Sequence, residues 1–380
     1  MFEEALRDWE GGCLTQDQAA ALLGVSARTF RRWAVRYGED GIEGLRDRRV
    51  SRASRRAAPA DEVMRMVDRY RTRHEGWNIR HYYAWYRREG GTRSYTWVRN
   101  KLQAHGAVAK GKARGKHRRK REPAPWPGVM LHQDGSPHEW VPGKAWDLIV
   151  TMDDATSEHD SMFLCGEEGT WSSFRGVREV IEARGLFCSL YTDRASHYWN
   201  TPEAGGKVDR ANLTQFGRAM VRDLGVEMIP AYSPEARGRS ERAFRTHQGR
   251  LPQELALAGI ADMDAANRHI AEVYKPAFNA EFRRPPAEGG SAFVPMGDIA
   301  RLDDILCEVH ERTVGRDNCA RFERLPLQLP ASRHRPHYVK ARVKVRRHMD
   351  GTLSVSHGPR LLARYGADGQ PLAGALERAA

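Results

Sequence analysis

The sequence predicts a multidomain chain: an all-α N-terminal region, an α/β core and a small β-rich C-terminal domain. Three observations predict it. Apolar residues recur at helical spacing through residue 109. Between residues 128 and 285 short strand-like runs alternate with helical ones. Near the C-terminus two alternating runs flank an Asp350-Gly351 turn. Two breaks frame the core. Lys110–Arg121 reads KGKARGKHRRKR, without one acid, and Glu122-Pro-Ala-Pro-Trp-Pro follows, too rich in proline to continue a helix. Pro and Gly cluster again after Arg283. The boundaries that follow are 1–50, a second helical module at 57–109, a basic linker at 110–127, a core at 128–285 and a β-rich region, expected as a small barrel, at 296–380.

The 380 residues carry 62 Lys+Arg against 49 Asp+Glu, a formal charge of +13. Such an excess suggests a polyanionic partner, with nucleic acid the first candidate. No apolar run approaches the ~18 residues of a membrane span. The opening MFEEALRDWEGG is acidic and has no apolar signal core, so a cytoplasmic protein is expected. Five scattered cysteines, never in a C-x-x-C pair, argue against a disulfide scaffold or a zinc finger.

The first helical patch reads as a helix-turn-helix. Thr15 and Gln18 form a T-x-x-Q capping box that opens one helix. Gly24 supplies the turn, and Ser26 caps the next helix. In that helix Phe30, Trp33, Ala34 and Tyr37 make one apolar face, and Arg28, Arg31, Arg32 and Arg36 occupy the rest. An aromatic stripe anchoring a helix whose arginines reach bases and phosphates is what recognition of double-stranded DNA requires. The second patch, Asp61–Gly106, repeats the pattern less cleanly. Val63, Met66, Val67 and Tyr70 share one face, Ile79, Tyr82, Tyr83 and Tyr86 another, and Ser94 caps a third helix. It is either a second DNA-reading module or a structural spacer. The basic run between the modules and the core, including Lys116, Arg118 and Arg119, is expected to add phosphate contacts.

The core opens with strand-like runs at Val129–Gln133, Trp146–Met152 and Ser161–Cys165. A helical pattern follows at Trp171–Arg184, then Leu186–Thr192 as strand, Asn212–Leu224 as helix, Val226–Ile229 as strand and a long helix through Leu255. Three strands, then helix, strand, helix, strand, helix is the order of an RNase H-like α/β domain. Asp134 ends the first run, Asp193 ends a later one, and Glu241 lies in the first turns of the long helix. Phosphoryl transfer on DNA needs charge neutralised at the scissile phosphate, a nucleophile activated and a leaving oxygen stabilised. Two divalent ions held by carboxylates do all three.

At these residues the sequence resembles a known family. Asp134, Asp193 and Glu241, with Y-S-P-x-x-x-G-x-x-E-x-x-F around the last, are similar to the D-D-E triad of the retroviral-integrase superfamily. D-x-S-P-H-x-W, D-D-A-T and D-G-T-L-S-V-x-H-G-P-R are similar to insertion-sequence transposases of the ISNCY type. The resemblance implies that Asp134, Asp193 and Glu241 are catalytic metal ligands holding two Mg²⁺ or Mn²⁺ ions. It also implies cleavage and strand transfer at terminal inverted repeats, joining to target DNA, and a homo-oligomer that pairs two ends. The sequence departs from the wider pattern in Asp193-Arg-Ala-Ser-His, where Asp-Asn/His-Gly is usual.

Alternatives stay open at several positions. Glu235 rivals Glu241, although an acid after Pro234 also suits a helix N-terminus. Asp153 and Asp154 are turn-formers or a fourth ligand. His132, His138 and Glu139 lie near Asp134, but their spacing fits no zinc pattern. Arg245 shares the Glu241 face at i+4 and is a candidate phosphate contact, with Gln248 at i+7. Near the C-terminus Arg342, Lys344 and Arg346 alternate with Ala341, Val343 and Val345. They either meet DNA or a second protomer, or protect an edge strand. At the level of function the rivals are an inactive helix-turn-helix regulator derived from a transposase and a nuclease for RNA–DNA hybrids.

Overall fold

The computed structural model describes residues 1–47, 58–109, 122–203, 206–232, 238, 240–331 and 335–372. The chain divides into two compact units, Met1–Asp68 and Arg69–Ala380.

The first unit holds α1 (Phe2–Glu10), α2 (Gln16–Leu22) and α3 (Ala27–Asp40). Its local signals act as read. Thr15 and Gln18 close the capping box, Gly24 turns at a φ of +66°, and the Ser26 side chain accepts from the Thr29 N–H. Phe30 is fully buried against Phe2 and Trp9, with ring centroids 6.1 and 5.6 Å away. Tyr37 donates its hydroxyl to Glu3 at 2.6 Å. The aromatic stripe of α3 therefore faces inward.

α4 (Ala60–Arg73) leads into the second unit, followed by α5 (Ile79–Arg88) and α6 (Tyr95–Ala104), capped by Asn78 and Ser94. Then comes a five-stranded sheet of β1 (Met130–Val141), β2 (Lys144–Asp153), β3 (His159–Cys165), β4 (Ser189–Thr192) and β5 (Glu227–Pro230), in the order β3-β2-β1-β4-β5. β1, β2 and β3 are antiparallel neighbours, while β4 runs parallel to β1 and β5 parallel to β4. That is the expected RNase H-like arrangement. α7 (Thr170–Arg184) connects β3 to β4. α8 (Gln215–Gly217), extended by a π-helical turn at Arg218–Asp223, connects β4 to β5. One sheet face meets α7 and α8 through Leu131, Phe174, Val177, Leu190 and Phe216. The other meets α9 (Ser240–Gln248) and α10 (Leu251–Leu257) through Trp140, Leu148, Val150, Phe244 and Leu255. α11 (Met263–His269), a second π turn and α12 (Lys275–Phe282) complete that layer.

Two expectations about the core are corrected. The first strand does not stop at Gln133 but pairs with β2 as far as Val141, turning at Gly143. The polar run GSPHEW hid it, because long-range pairing overrides weak strand propensity. The long helix breaks at Gly249-Arg250, where Pro252 in the first turn of α10 cannot donate to a preceding turn.

After the Pro/Gly break, α13 (Leu302–Ile305) leads into β6 (Glu308–Thr313), β7 (Cys319–Phe322), β8 (Leu325–Gln328), β9 (Arg342–Arg347), β10 (Leu353–His357) and β11 (Arg360–Tyr365). β11-β10-β9-β6 form one antiparallel sheet, and β7 and β8 a hairpin. β9 begins only at Arg342, because Lys340 sits at a φ of +62° and the Ala341 N–H turns back to the Tyr338 carbonyl. Val343, Val345, Val355 and Tyr365 form its core.

Candidate active site

Asp134 sits in the middle of β1 rather than at its end, and is 6% exposed. It pairs across the ladder with Val150, so its side chain belongs to the α9 and α10 face with Ser136. Asp193 follows the last residue of β4 and is half-buried. The β1–β4 register pairs Leu131 with Leu190 and His132 with Tyr191. Asp134 and Asp193 each lie two residues beyond that last pair, Asp134 still within β1 and Asp193 just past the end of β4. The first aspartate needs a long β1 and the second a short β4. Past β4 the chain folds back: the Asp193 carboxylate accepts the Ala195 N–H at 2.9 Å, and Trp199 donates to Thr192 at 2.9 Å.

Behind the aspartates lies a buried polar network. Tyr198 donates its hydroxyl to the Gln133 amide oxygen at 3.1 Å and accepts from Ser173 at 3.0 Å. The Gln133 amide donates to Thr151 at 3.0 Å and to the Ser173 carbonyl at 3.1 Å. Burial first, then the carboxylates of Glu168, Asp134 and Asp193, hold the Tyr198 phenol well above its usual range. One hydroxyl thus senses three acids from three parts of the chain. Glu168, in the loop before α7, was not singled out from the sequence. The signal was Gly135: a Cβ there would stand 2.3 Å from a Glu168 carboxylate oxygen, so this mid-strand glycine marks a close approach. His197 lies 3.7 Å from Glu168, and burial lowers its pKa against the opposing pull of Asp193.

Glu241 is in the first turn of α9 and exposed, as is Arg245 one turn on. Gln248, a further turn along, donates to Ser136 at 3.0 Å, tying α9 to β1 two residues beyond Asp134. Among the described residues no three acid, histidine or cysteine side chains converge tightly enough to hold a metal ion. The β1–β4 pairing stops two residues short of both aspartates, and the three acids are not gathered into one ligand set. Glu235 lies outside the described residues, as do Lys116, Arg118 and Arg119.

The other polar candidates have structural employment. Asp153 accepts the N–H groups of Gly128 and Thr156, and Asp154 accepts that of Ala124 while its other oxygen pairs with His132 at 2.7 Å. Glu139 accepts the Gly143 N–H, and His138 packs edge-on against Trp140. Arg194 donates to the Gly206 carbonyl at 2.8 Å and lies over the Tyr232 ring, so it organises the segment after β4. On α3, Arg28 and Arg32 are exposed, Arg31 donates to the Gln16 side chain, and Arg36 donates to the Arg46 carbonyl. In the second helical module, His81 and Arg88 of α5 meet Glu254 of α10 at 2.8 and 3.1 Å, which fastens α5 to the core. No described helix is long and apolar enough to cross a membrane.

Residues 4–63 match the family described as winged helix-turn helix. Over 362 residues the chain is 28% identical to y4bF of Sinorhizobium fredii, named as a transposase, covering 90% of this chain and 75% of that one. It is 23% identical over 348 residues to the transposase for insertion sequence IS1202 of Streptococcus pneumoniae, covering 82% of this chain and 74% of the other. Among solved structures, the HTLV-2 integrase catalytic core domain in complex with magnesium matches 39% of this chain and 89% of its own, at 15% identity and a TM-score of 0.29. A likeness that distant adds nothing to the fold read from the sheet itself. The resemblance carried by the motifs is borne out: through most of its length the chain is similar to transposases, one of them of an insertion sequence, with a helix-turn-helix region ahead of an RNase H-like core.

Proposed function

We propose that the chain is a DNA transposase that binds the ends of an insertion sequence, cuts them and transfers the strands to target DNA. The observation that supports this reading is the β1–β4 register, whose last pair, His132 with Tyr191, lies two residues before Asp134 and Asp193, on the sheet face covered by the helix that bears Glu241 and its successor. The donors are carboxylate oxygens, which suit Mg²⁺ or Mn²⁺, and His132 on the same strand as Asp134 is already committed to Asp154. Asp134, Asp193 and Glu241 would hold two such ions, which when bound supply charge neutralisation at the phosphate and activation of the attacking oxygen.

The chain's own residues do the rest. Tyr198, held by Gln133 and Ser173, is a neutral donor-acceptor that fixes the backbone beside both aspartates. Arg245, exposed one turn beyond Glu241, would take a phosphate of the DNA lying over the acids. Arg28, Arg31 and Arg32 would read bases in the terminal inverted repeats, while Arg36 braces the end of α3. Lys116, Arg118 and Arg119 would add contacts that do not depend on sequence. Pairing two ends requires at least two protomers.

The test is cleavage of a labelled end duplex in Mg²⁺ by Asp134→Asn, Asp193→Asn and Glu241→Gln. Cleavage should fall by orders of magnitude in each, with duplex affinity and melting temperature retained. Full activity in Glu241→Gln beside loss in Glu235→Gln would move the third ligand to Glu235. An intact chain that binds ends and never cuts them would be a regulator instead.

A further inference from the structure

Away from the aspartates, a cleft of about 540 Å³ opens where the π turn after α8 meets α13 and the C-terminal sheet. Five cations line it: Arg218 and Arg222 from the π turn, Arg301 beside α13, and Lys344 and Arg346 from β9. Two acids, Asp223 and Asp304, share the wall.

The cations have different duties. Arg218 is consumed by the fold: it pairs with Asp223 and donates to the carbonyls of Ile305 and Cys307, at 3.1 and 2.6 Å. Arg346 donates to Ser356 at 2.7 Å, but its Nε is sealed from solvent with no acceptor. Arg222, Arg301 and Lys344 are exposed and make no side-chain hydrogen bond or ion pair among the described residues.

Edge protection does not account for the β9 cations. β9 lies inside its sheet, between β6 and β10, so its backbone groups are already paired on both sides. The alternation still gives it one basic face, Arg342, Lys344 and Arg346, over an apolar one, Val343 and Val345. Like charges collected from three separate elements, in a cleft far larger than one phosphate ion, match a run of phosphates.

We infer that this cleft binds the phosphodiester backbone of duplex DNA by charge, without reading its sequence. The inference rests on the reading of the chain as a DNA-acting protein. It adds a second contact surface, shared between the core and the C-terminal sheet, to the helix-turn-helix.

The test compares the full chain with the triple variant Arg222→Ala, Arg301→Ala, Lys344→Ala. Binding to labelled duplexes of two unrelated sequences is followed by anisotropy over a range of NaCl concentrations. Each phosphate contact contributes about 0.9 to the slope of log affinity against log salt. The triple variant should flatten that slope by about 2 to 3 and weaken both duplexes equally. An unchanged slope in the variant, with the parent still binding, overturns the cleft alone. A parent that binds neither duplex overturns the DNA reading itself. A variant that loses binding to polyglutamate but keeps duplex binding would assign the cleft to an acidic protein partner and overturn the inference. Should the triple variant melt early, Lys344→Gln alone must still flatten the slope by about 1.

Discussion

The N-terminal helices and the core sheet reach order by opposite routes. In Met1–Asp68 the helix ends are fixed by residues near in sequence, Thr15 with Gln18 and Ser26 with Thr29, and the stripe from Phe30 to Tyr37 then packs on Phe2 and Trp9. In the core they are distant: Gln133 with Tyr198, Ser136 with Gln248, and His159 with His247. The first kind of order comes from caps and periodicity. The second requires strands and helices to find one register. The difference teaches where each unit is vulnerable: the small one through a single ring in its core, the large one through buried polar groups.

The largest expected effect is in the small unit. Phe30→Ala removes the fully buried ring between Phe2 and Trp9 and should cost about 3–5 kcal/mol. Thermal unfolding of the full chain should then show an early N-terminal transition, with that of the core unmoved. A core transition that shifts equally would break the contrast.

Acid should do the reverse. His159 and His247 are buried with their Nε2 atoms 2.9 Å apart, and one proton order satisfies them. Tyr274 donates to His247 Nδ1, His247 donates through Nε2 to His159, and His159 donates through Nδ1 to the Ser157 carbonyl. Burial, with Lys275 adding to it, pushes His159 down to about 4, although the bond to Ser157 opposes this. Between pH 6.5 and about 4 the unfolded chain takes up a proton that the folded chain refuses. Stability therefore falls as pH drops through that window, by about 3 kcal/mol at its lower end from this residue alone. His247, also lowered by burial, adds to the loss. Residues 1–68 contain no histidine, so this contribution is confined to the core. Unfolding followed at pH 7 and pH 5 should show the core transition falling the further, and parallel falls would count against the assignment.

The smallest effect sharpens the local side. Thr15→Ala removes the acceptor for the Gln18 N–H and should lower the N-terminal transition by about 1 kcal/mol, leaving the core untouched. Urea titration of the two transitions measures it.

The sequence alone determined whatever depends on neighbours along the chain. The capping box, the inward stripe of α3, the order of strands and helices in the core and the Asp350-Gly351 turn were all legible, because the signal for each element lies in neighbouring residues. The motifs around Asp134, Asp193 and Glu241 were legible as chemistry. Their arrangement was not. That Asp134 lies in mid-strand, that Glu168 presses on Gly135, and that β9 is an interior strand with Lys344 and Arg346 lining a cleft are consequences of pairing between distant segments. Only the tertiary structure decides these, because a strand's register and neighbours are fixed by burial on both faces of the finished sheet, not by its own residues.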